Sequence, residues 1–125
     1  MIENLLYSIV EQEDTNEQWR CRIALNPQHT IFKAHFPEKP VLPGACIVEI
    51  CKELLSNKLQ TDISLQEAKN IKFLHLIEPQ HNSVLDFIFQ ITEKENLLIC
   101  AIIVQYNELT FSKLNLKLEK CKPAV

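Results

Sequence analysis

One segment of the chain, residues 43–59, has apolar side chains at helical spacing on most of its sides. One set of positions at i, i+3, i+4 and i+7 comprises Ala45, Val48, Glu49 and Lys52, and most of the remaining surface carries Ile47, Ile50, Cys51, Leu54 and Leu55. Because apolar residues occur nearly all round the first two turns, we expect this helix to be buried rather than to lie on the surface. A buried helix must be covered by other elements, and this requirement restricts the possible folds.

Most of the remaining chain has the period-2 alternation of half-buried strands. The pattern predicts strands over residues 19–25, 71–77, 83–92, 97–106 and 109–118, whereas residues 4–13 fit either a strand or a short helix. The connections have the lengths of hairpin loops. One helix with five or six antiparallel strands is an α+β architecture, and a curved sheet can wrap around a helix that is apolar on most sides. We expect a single domain over residues 1–125.

Composition excludes several classes of function. The net charge of −3 provides no basic field for nucleic acid. The longest apolar run, residues 97–104, is shorter than the roughly 18 residues that a membrane span needs. The first residues lack the basic start and small-residue cleavage site of a signal peptide. A cytoplasmic protein without nucleic-acid or membrane partners is therefore expected.

The cysteines and histidines do not suggest a metal site. The five cysteines are odd in number and include no CxxC pair, so free, buried thiols are favoured over disulfides or metal ligands. His29, His75 and His81 have no metal-like spacing to Cys or Asp, which makes a zinc site improbable.

The run at residues 35–49 has the composition of a catalytic segment. His35 lies in a loop that three prolines stiffen, at positions 37, 40 and 43. Pro43 and Gly44 then begin the helix, so the amides of Gly44 and Ala45 fall in its first turn and lack intrahelical partners. Together with the helix dipole, these amides can stabilise developing negative charge.

Glu49 lies further along the same predicted helix. We expect burial to raise its pKa toward the range in which a carboxylic acid donates a proton near neutrality. With an imidazole base and two free amides, these groups can remove a proton α to a carbonyl, stabilise the enolate and assist loss of a β-hydroxyl. Taken singly, His35 fits a structural role as well, and Glu49 fits a role in complementing the helix dipole.

The run as a whole resembles the β-hydroxyacyl-(acyl carrier protein) dehydratase family of fatty acid synthesis. The His-Phe-Pro sequence at 35–37 leads through Pro43-Gly44 into the predicted helix, and Glu49 follows His35 by fourteen residues, as in that family. Weaker similarity continues at residues 70–74 and 77–79. The resemblance implies a hot-dog fold, in which a curved antiparallel sheet wraps around one central helix.

The resemblance also implies an activity, namely conversion of carrier-bound 3-hydroxyacyl thioesters to trans-2-enoyl thioesters. His35 would take the α-proton, Glu49 would handle the departing hydroxyl, and the Gly44 amide would polarise the thioester carbonyl. Phe36, Pro43 and Ala45 would also contact substrate. The family uses neither metal nor organic cofactor. In it the two catalytic side chains of one site come from different subunits of a homodimer, and the acyl chain lies in an apolar tunnel at that interface.

Two other functions stay open from the sequence: a catalytically idle hot-dog scaffold subunit, and an acyl thioesterase on the same fold. Glu53 lies four residues beyond Glu49, and repulsion between the two carboxyls predicts a raised pKa for at least one of them. An acidic acyl carrier protein is the expected partner, and the lysines that could meet it are Lys33, Lys39, Lys69 and Lys72.

Overall fold

The computed structural model describes residues 5–34 and 38–121. Its strands are β1 (Tyr7–Asp14), β2 (Trp19–Leu25), β3 (Ile63–Phe73), β4 (Val84–Lys94), β5 (Leu97–Tyr106) and β6 (Leu109–Lys120), and its helices are α1 (Ile31–Ala34) and α2 (Gly44–Leu59). The strands form one antiparallel sheet in the order β1-β2-β4-β5-β6-β3. The predicted α+β architecture is confirmed. Within the described ranges, no helix is long and apolar enough to cross a membrane.

Helix α2 packs against the sheet with one face only. Its buried residues are Ile47, Ile50, Cys51, Leu54 and Leu55, and they share one core with the inward-facing side chains of the strands. The helix begins after Pro43 and ends at a left-handed Gln60, close to the predicted bounds. The prediction that α2 is covered on most sides is wrong for the single chain, because the face carrying Ala45, Glu49 and Glu53 stays exposed.

The strand predictions are confirmed for β2, β4, β5 and β6, within two residues at each end. The N-terminal segment is a strand rather than a helix. The prediction of a strand over residues 71–77 is largely wrong, because β3 begins at Ile63 and ends at Phe73. Residues 71–76 are exposed, so their alternation does not mark a core-facing strand of this chain.

An ionic cluster joins β2 to its neighbours on the outer face of the sheet. Asp86 of β4 accepts two hydrogen bonds from Arg22, at 2.8 and 3.0 Å, and one from Arg20 at 3.3 Å. Arg20 also pairs with Glu11 of β1. The Arg20 hydrogen bond lowers the pKa of Glu11 below its usual value. These contacts hold β1 in place, and β1 forms one wall of the candidate active site.

The cysteines are free thiols, as expected, and three of them lie in the core. Burial raises the pKa of Cys21 to about 11 and that of Cys100 to about 12. Burial also raises the pKa of Cys51. These thiols stay protonated at neutral pH and act as small apolar side chains.

The two-residue turn between β5 and β6 has left-handed backbone at both positions, with φ of 49° at Asn107 and 68° at Glu108. Such turns favour Asn-Gly, and a left-handed residue with a side chain costs about 1–2 kcal/mol. We therefore expect Glu108→Gly to raise the free energy of unfolding by about 1 kcal/mol. Urea denaturation measures the change.

Glu17→Gly in the β1–β2 turn is the control, because Glu17 is not among the positive-φ residues of the described chain. Glycine there adds only unfolded-state entropy, so it should not stabilise. Equal loss of stability in both variants would contradict the strain at Glu108.

Candidate active site

An open groove of about 790 Å³ lies between the exposed face of α2 and the N-terminal strand. Residues 5–9 form one wall of the groove, together with His29. The wall on α2 consists of Cys46, Glu49, Ile50, Glu53, Ser56 and Asn57. We call this the α2–β1 groove. Apart from its carboxylates and a few polar groups, it is lined by apolar side chains, so it can accept an apolar ligand beside an acidic group.

Glu49 lies in this groove with its side chain 58% exposed in the single chain. Its Oε1 is 3.6 Å from Nζ of Lys52, one turn further along the helix. The prediction that α2 buries Glu49 is therefore wrong for the isolated chain. The apolar side of the helix faces the sheet, and Glu49 lies on the opposite side, where the described residues leave it exposed.

Glu53 lies one turn beyond Glu49 on α2, and its side chain contacts β1 at the other wall of the groove. The hydroxyl of Tyr7, in β1, donates a hydrogen bond of 2.8 Å to Oε1 of Glu53. Burial, followed by this hydrogen bond to a carboxylate, raises the pKa of Tyr7 above its usual value. Each of the two carboxylates therefore has a partner of its own, Lys52 for Glu49 and Tyr7 for Glu53.

At the start of α2, two backbone amides have no hydrogen-bond acceptor among the described residues, and we call them the open amides. The amides of Cys46 and Ile47 donate to the carbonyl of Pro43, at 3.0 and 3.3 Å. Pro43 is the N-cap residue and supplies no side-chain acceptor, so the amides of Gly44 and Ala45 have no acceptor among the described residues. These are the donors that the sequence predicts for developing negative charge.

Gly44 also allows a close approach by the chain that follows α2. A Cβ atom at this position would lie 2.6 Å from Cζ of Phe73, at the end of β3. The Phe73 ring, 53% exposed, thus covers one side of the helix start. From Gly44 to Glu49 the helix rises by roughly 7.5 Å, so the open amides and the carboxylate lie within reach of one small substrate.

Cys46 is a half-buried residue of α2 that lies between these groups in the sequence. Burial, followed by the nearby charge of Glu49, raises the pKa of its thiol. A thiol with a raised pKa carries little thiolate at neutral pH.

Of the predicted site residues, the structure places Pro43, Gly44, Ala45 and Glu49 together along the first turns of α2. His35 and Phe36 lie outside the described residues. Tyr7 and His29 were missed as groove residues, because neither is part of a motif.

A family model described as ApeI dehydratase matches residues 11–112, most of the chain. The chain belongs to the ApeI-like dehydratase family. The matched residues include the whole 35–49 run. A search among curated proteins finds no match. The predicted kinship to hot-dog dehydratases is confirmed.

Solved structures agree on the fold of this ApeI-like chain. The dehydratase heterocomplex ApeI:P from Xenorhabdus doucetiae matches with a TM-score of 0.72 at 22% identity, over 90% of this chain and 96% of that one. A mutant of thioesterase PA1618 from Pseudomonas aeruginosa matches with a TM-score of 0.66 at 13% identity, over 95% of this chain and 84% of that one. A hypothetical thioesterase with coenzyme A from Streptococcus pneumoniae matches with a TM-score of 0.66 at 11% identity, over 97% of this chain and 91% of that one. The ApeI-like chain has the hot-dog fold.

Proposed function

We propose that the chain dehydrates 3-hydroxyacyl thioesters carried by an acyl carrier protein. The observation that carries this proposal is the position of Glu49, which lies in the α2–β1 groove about one and a half turns from the open amides of Gly44 and Ala45. Membership of the ApeI-like dehydratase family supports the same reaction class.

In the proposed reaction the thioester carbonyl oxygen accepts from the Gly44 amide, with Ala45 beside it. His35 removes the proton from C2, and the electron pair forms the C2=C3 bond. Glu49 enters this step as the neutral acid and gives its proton to the hydroxyl at C3, which leaves as water as the C3–O bond breaks. Proton transfer from His35 back to Glu49 through solvent resets the site. Positioned acid–base groups raise the rate of proton transfer about 10²–10⁴-fold. The proposed reaction needs neither a metal nor a cofactor. Phe36 and Pro43 would contact the substrate.

We also propose that two copies of the chain pair through β3, and that the second copy covers the exposed face of α2. The strand is an edge of the sheet and carries exposed apolar residues at Leu65 and Ile71. A two-fold axis at Ala68 would place Leu65 opposite Ile71 of the second copy, and Glu67 opposite its Lys69. The register shifts of β3 lie on either side of Ala68, so they are compatible with this symmetry.

The other edge strand is a poorer candidate for self-pairing. Strand β1 carries Glu11, Glu13 and Asp14, and like charges opposite each other destabilise a strand pair. Strand β3 has one acidic and two basic residues, with Glu67 and Lys69 already 3.5 Å apart within one chain.

The carrier protein is proposed to meet the exposed lysines near the 35–49 run. Lys33 and Lys39 flank His35 in the sequence, and both are exposed, as is Lys72 at the end of β3. Because Lys69 is assigned to the β3 pairing, it is left out of this surface. In this proposal the positive charges of these lysines steer an acidic partner toward the site.

The test is an assay of the purified protein with a 3-hydroxyacyl-pantetheine thioester. We expect an enoyl thioester, seen by its ultraviolet absorbance and by a mass loss of one water. Free acid with the hydroxyl retained would identify a thioesterase instead, which the fold of several neighbours permits. Unchanged substrate would identify a scaffold subunit. His35→Ala should remove the activity because the base is lost.

A further inference from the structure

One hydrogen bond joins the two walls of the α2–β1 groove. The hydroxyl of Tyr7 reaches from β1 to Oε1 of Glu53 on α2, at 2.8 Å. Tyr7 lies on the helix side of the sheet because it pairs with the core residue Leu25, and directly opposed residues of an antiparallel pair share a face. The half-buried ring also packs against the core. We call this contact the Tyr7–Glu53 bridge.

The bridge divides the groove into two parts. Strand β1 and helix α2 run in the same direction, because Tyr7 contacts Glu53 while Asp14, at the end of β1, pairs with Lys58 at 2.6 Å. Residues before Tyr7 therefore lie beside the first turns of α2, and residues after it lie beside the later turns. The near part of the groove contains Leu5, Leu6, Cys46, Glu49 and Ile50, and the far part contains Ile9, Ser56 and Asn57.

The two parts of the groove differ in polarity. The near part offers mainly apolar side chains beside the carboxylate of Glu49. In the far part, Ser56 and the exposed Asn57 lie beside Ile9. An apolar chain therefore binds better in the near part, because covering polar groups without giving them hydrogen bonds costs free energy.

The distance from Glu49 to the bridge limits the length of chain that the near part can hold. In the proposed reaction, the thioester carbonyl lies at the Gly44 amide and C3 at Glu49, so the rest of the acyl chain extends along α2 toward Glu53. Four residues of helix give a rise of about 6 Å. An extended carbon chain advances about 1.2 Å per bond, so a chain of about eight carbons ends at the bridge.

We propose that Tyr7 is a specificity-determining residue, which restricts the substrate to acyl chains of up to about eight carbons. A longer chain has to break the Tyr7–Glu53 bridge and enter the polar far part of the groove. Breaking the bridge removes the acceptor of a half-buried hydroxyl and gives up a hydrogen bond to a charged group, which is stronger than a neutral one. The inference rests on the proposed function, because that function places C3 of the substrate at Glu49.

Two substitutions isolate the contribution of the Tyr7 hydroxyl. Tyr7→Phe removes the donor and keeps the ring that packs on the core, so this variant should fold as wild type does. Tyr106→Phe is the matched control, because Tyr106 is the second tyrosine of the sequence and lies beside Arg22, outside the groove. Circular dichroism and thermal unfolding compare the folding of the two variants with that of wild type.

We expect wild type to prefer a six-carbon over a twelve-carbon 3-hydroxyacyl-pantetheine by about tenfold or more in kcat/KM, the effect of one hydrogen bond to a charged group. Tyr7→Phe should raise kcat/KM for the twelve-carbon substrate about tenfold and leave that for the six-carbon substrate within about twofold of wild type. Tyr106→Phe should match wild type with both substrates.

Binding of unreactive ligands makes the test independent of the reaction. The ligands are six- and twelve-carbon acyl-pantetheine analogues with an amide in place of the thioester and no hydroxyl at C3, so they resist both dehydration and hydrolysis. Calorimetry should show that Tyr7→Phe lowers the Kd of the twelve-carbon analogue about tenfold and leaves the Kd of the six-carbon analogue unchanged.

Four results would overturn the proposal. They are an equal change for both chain lengths in Tyr7→Phe, no change for either length, the same gain in Tyr106→Phe, and a wild type that binds neither analogue. A wild type that lacks dehydratase activity would instead refute the proposed function. The two analogues then decide separately whether Tyr7 limits the length of chain that the groove binds.

Discussion

Glu49→Gln is expected to lower kcat for dehydration by a factor of about 10²–10⁴, the usual contribution of a positioned general acid. Glutamine has the shape of glutamate but has no acidic proton to give to the departing hydroxyl. The variant should fold normally, because the Glu49 side chain is 58% exposed and its ion pair with Lys52 is a surface contact. Such pairs contribute about 0.3–0.5 kcal/mol. Steady-state kinetics and thermal unfolding on the same preparation measure both effects.

Glu53→Gln is the matched control for Glu49→Gln. It removes a carboxylate one turn away in the same groove, and its amide oxygen can still accept the hydrogen bond from Tyr7. We expect it to retain kcat within about threefold, because a group that only holds Tyr7 contributes no proton transfer. Full activity of Glu49→Gln, or an equal loss in both variants, would mean that Glu49 is not the acid.

The helix and four strands could be predicted from the sequence because burial in this chain sets their patterns. In β2, every second residue from Trp19 to Leu25 is buried, and this alternation is directly visible in the sequence. Helix α2 was predicted by its apolar arc and by the Pro43-Gly44 step. The resemblance of the 35–49 run to hot-dog dehydratases then identified the family, which periodicity alone cannot do.

Two predictions failed for a related reason. Strand β3 is an exposed edge, and its segment 64–70 lacks the alternation that a buried face imposes. Glu49 was expected to be buried because apolar residues surround it in sequence, yet these residues face the sheet and Glu49 faces away. A hydrophobic pattern records how much of a surface is covered, and it does not say whether the cover comes from the same chain or from another one.

The contacts that Tyr7 and His29 make at the groove could not be found by pattern for a different reason. Tyr7 and Glu53 are far apart in the sequence and meet only because β1 pairs with β2 and the sheet packs on α2. His29 is one of four histidines in the sequence, and its place in the groove and its hydrogen bond from the Ile31 amide are not visible there. Such contacts depend on tertiary structure.

Reversing one charge on β3 should weaken self-association strongly if two copies pair about Ala68. In that pairing, Glu67→Lys places lysine opposite Lys69 of the second copy, and the two-fold axis repeats the repulsion. A cross-strand charge pair contributes up to about 1 kcal/mol, and like charges cost a similar amount. Over the two symmetry-related pairs the combined change is up to about 4 kcal/mol, which corresponds to a rise in the dimer Kd of up to about 10³-fold. Sedimentation equilibrium measures it.

The reciprocal variant makes this test specific. Lys69→Glu should weaken the dimer as much as Glu67→Lys, whereas the double variant restores opposite charges and should return the Kd to within about tenfold of wild type. Glu17→Lys, a reversal in the exposed β1–β2 turn, controls for net charge. If the second copy also covers the exposed face of α2, dehydratase activity should fall and recover together with the dimer. A monomeric wild type, or a double variant no better than either single one, would show that β3 does not pair with itself.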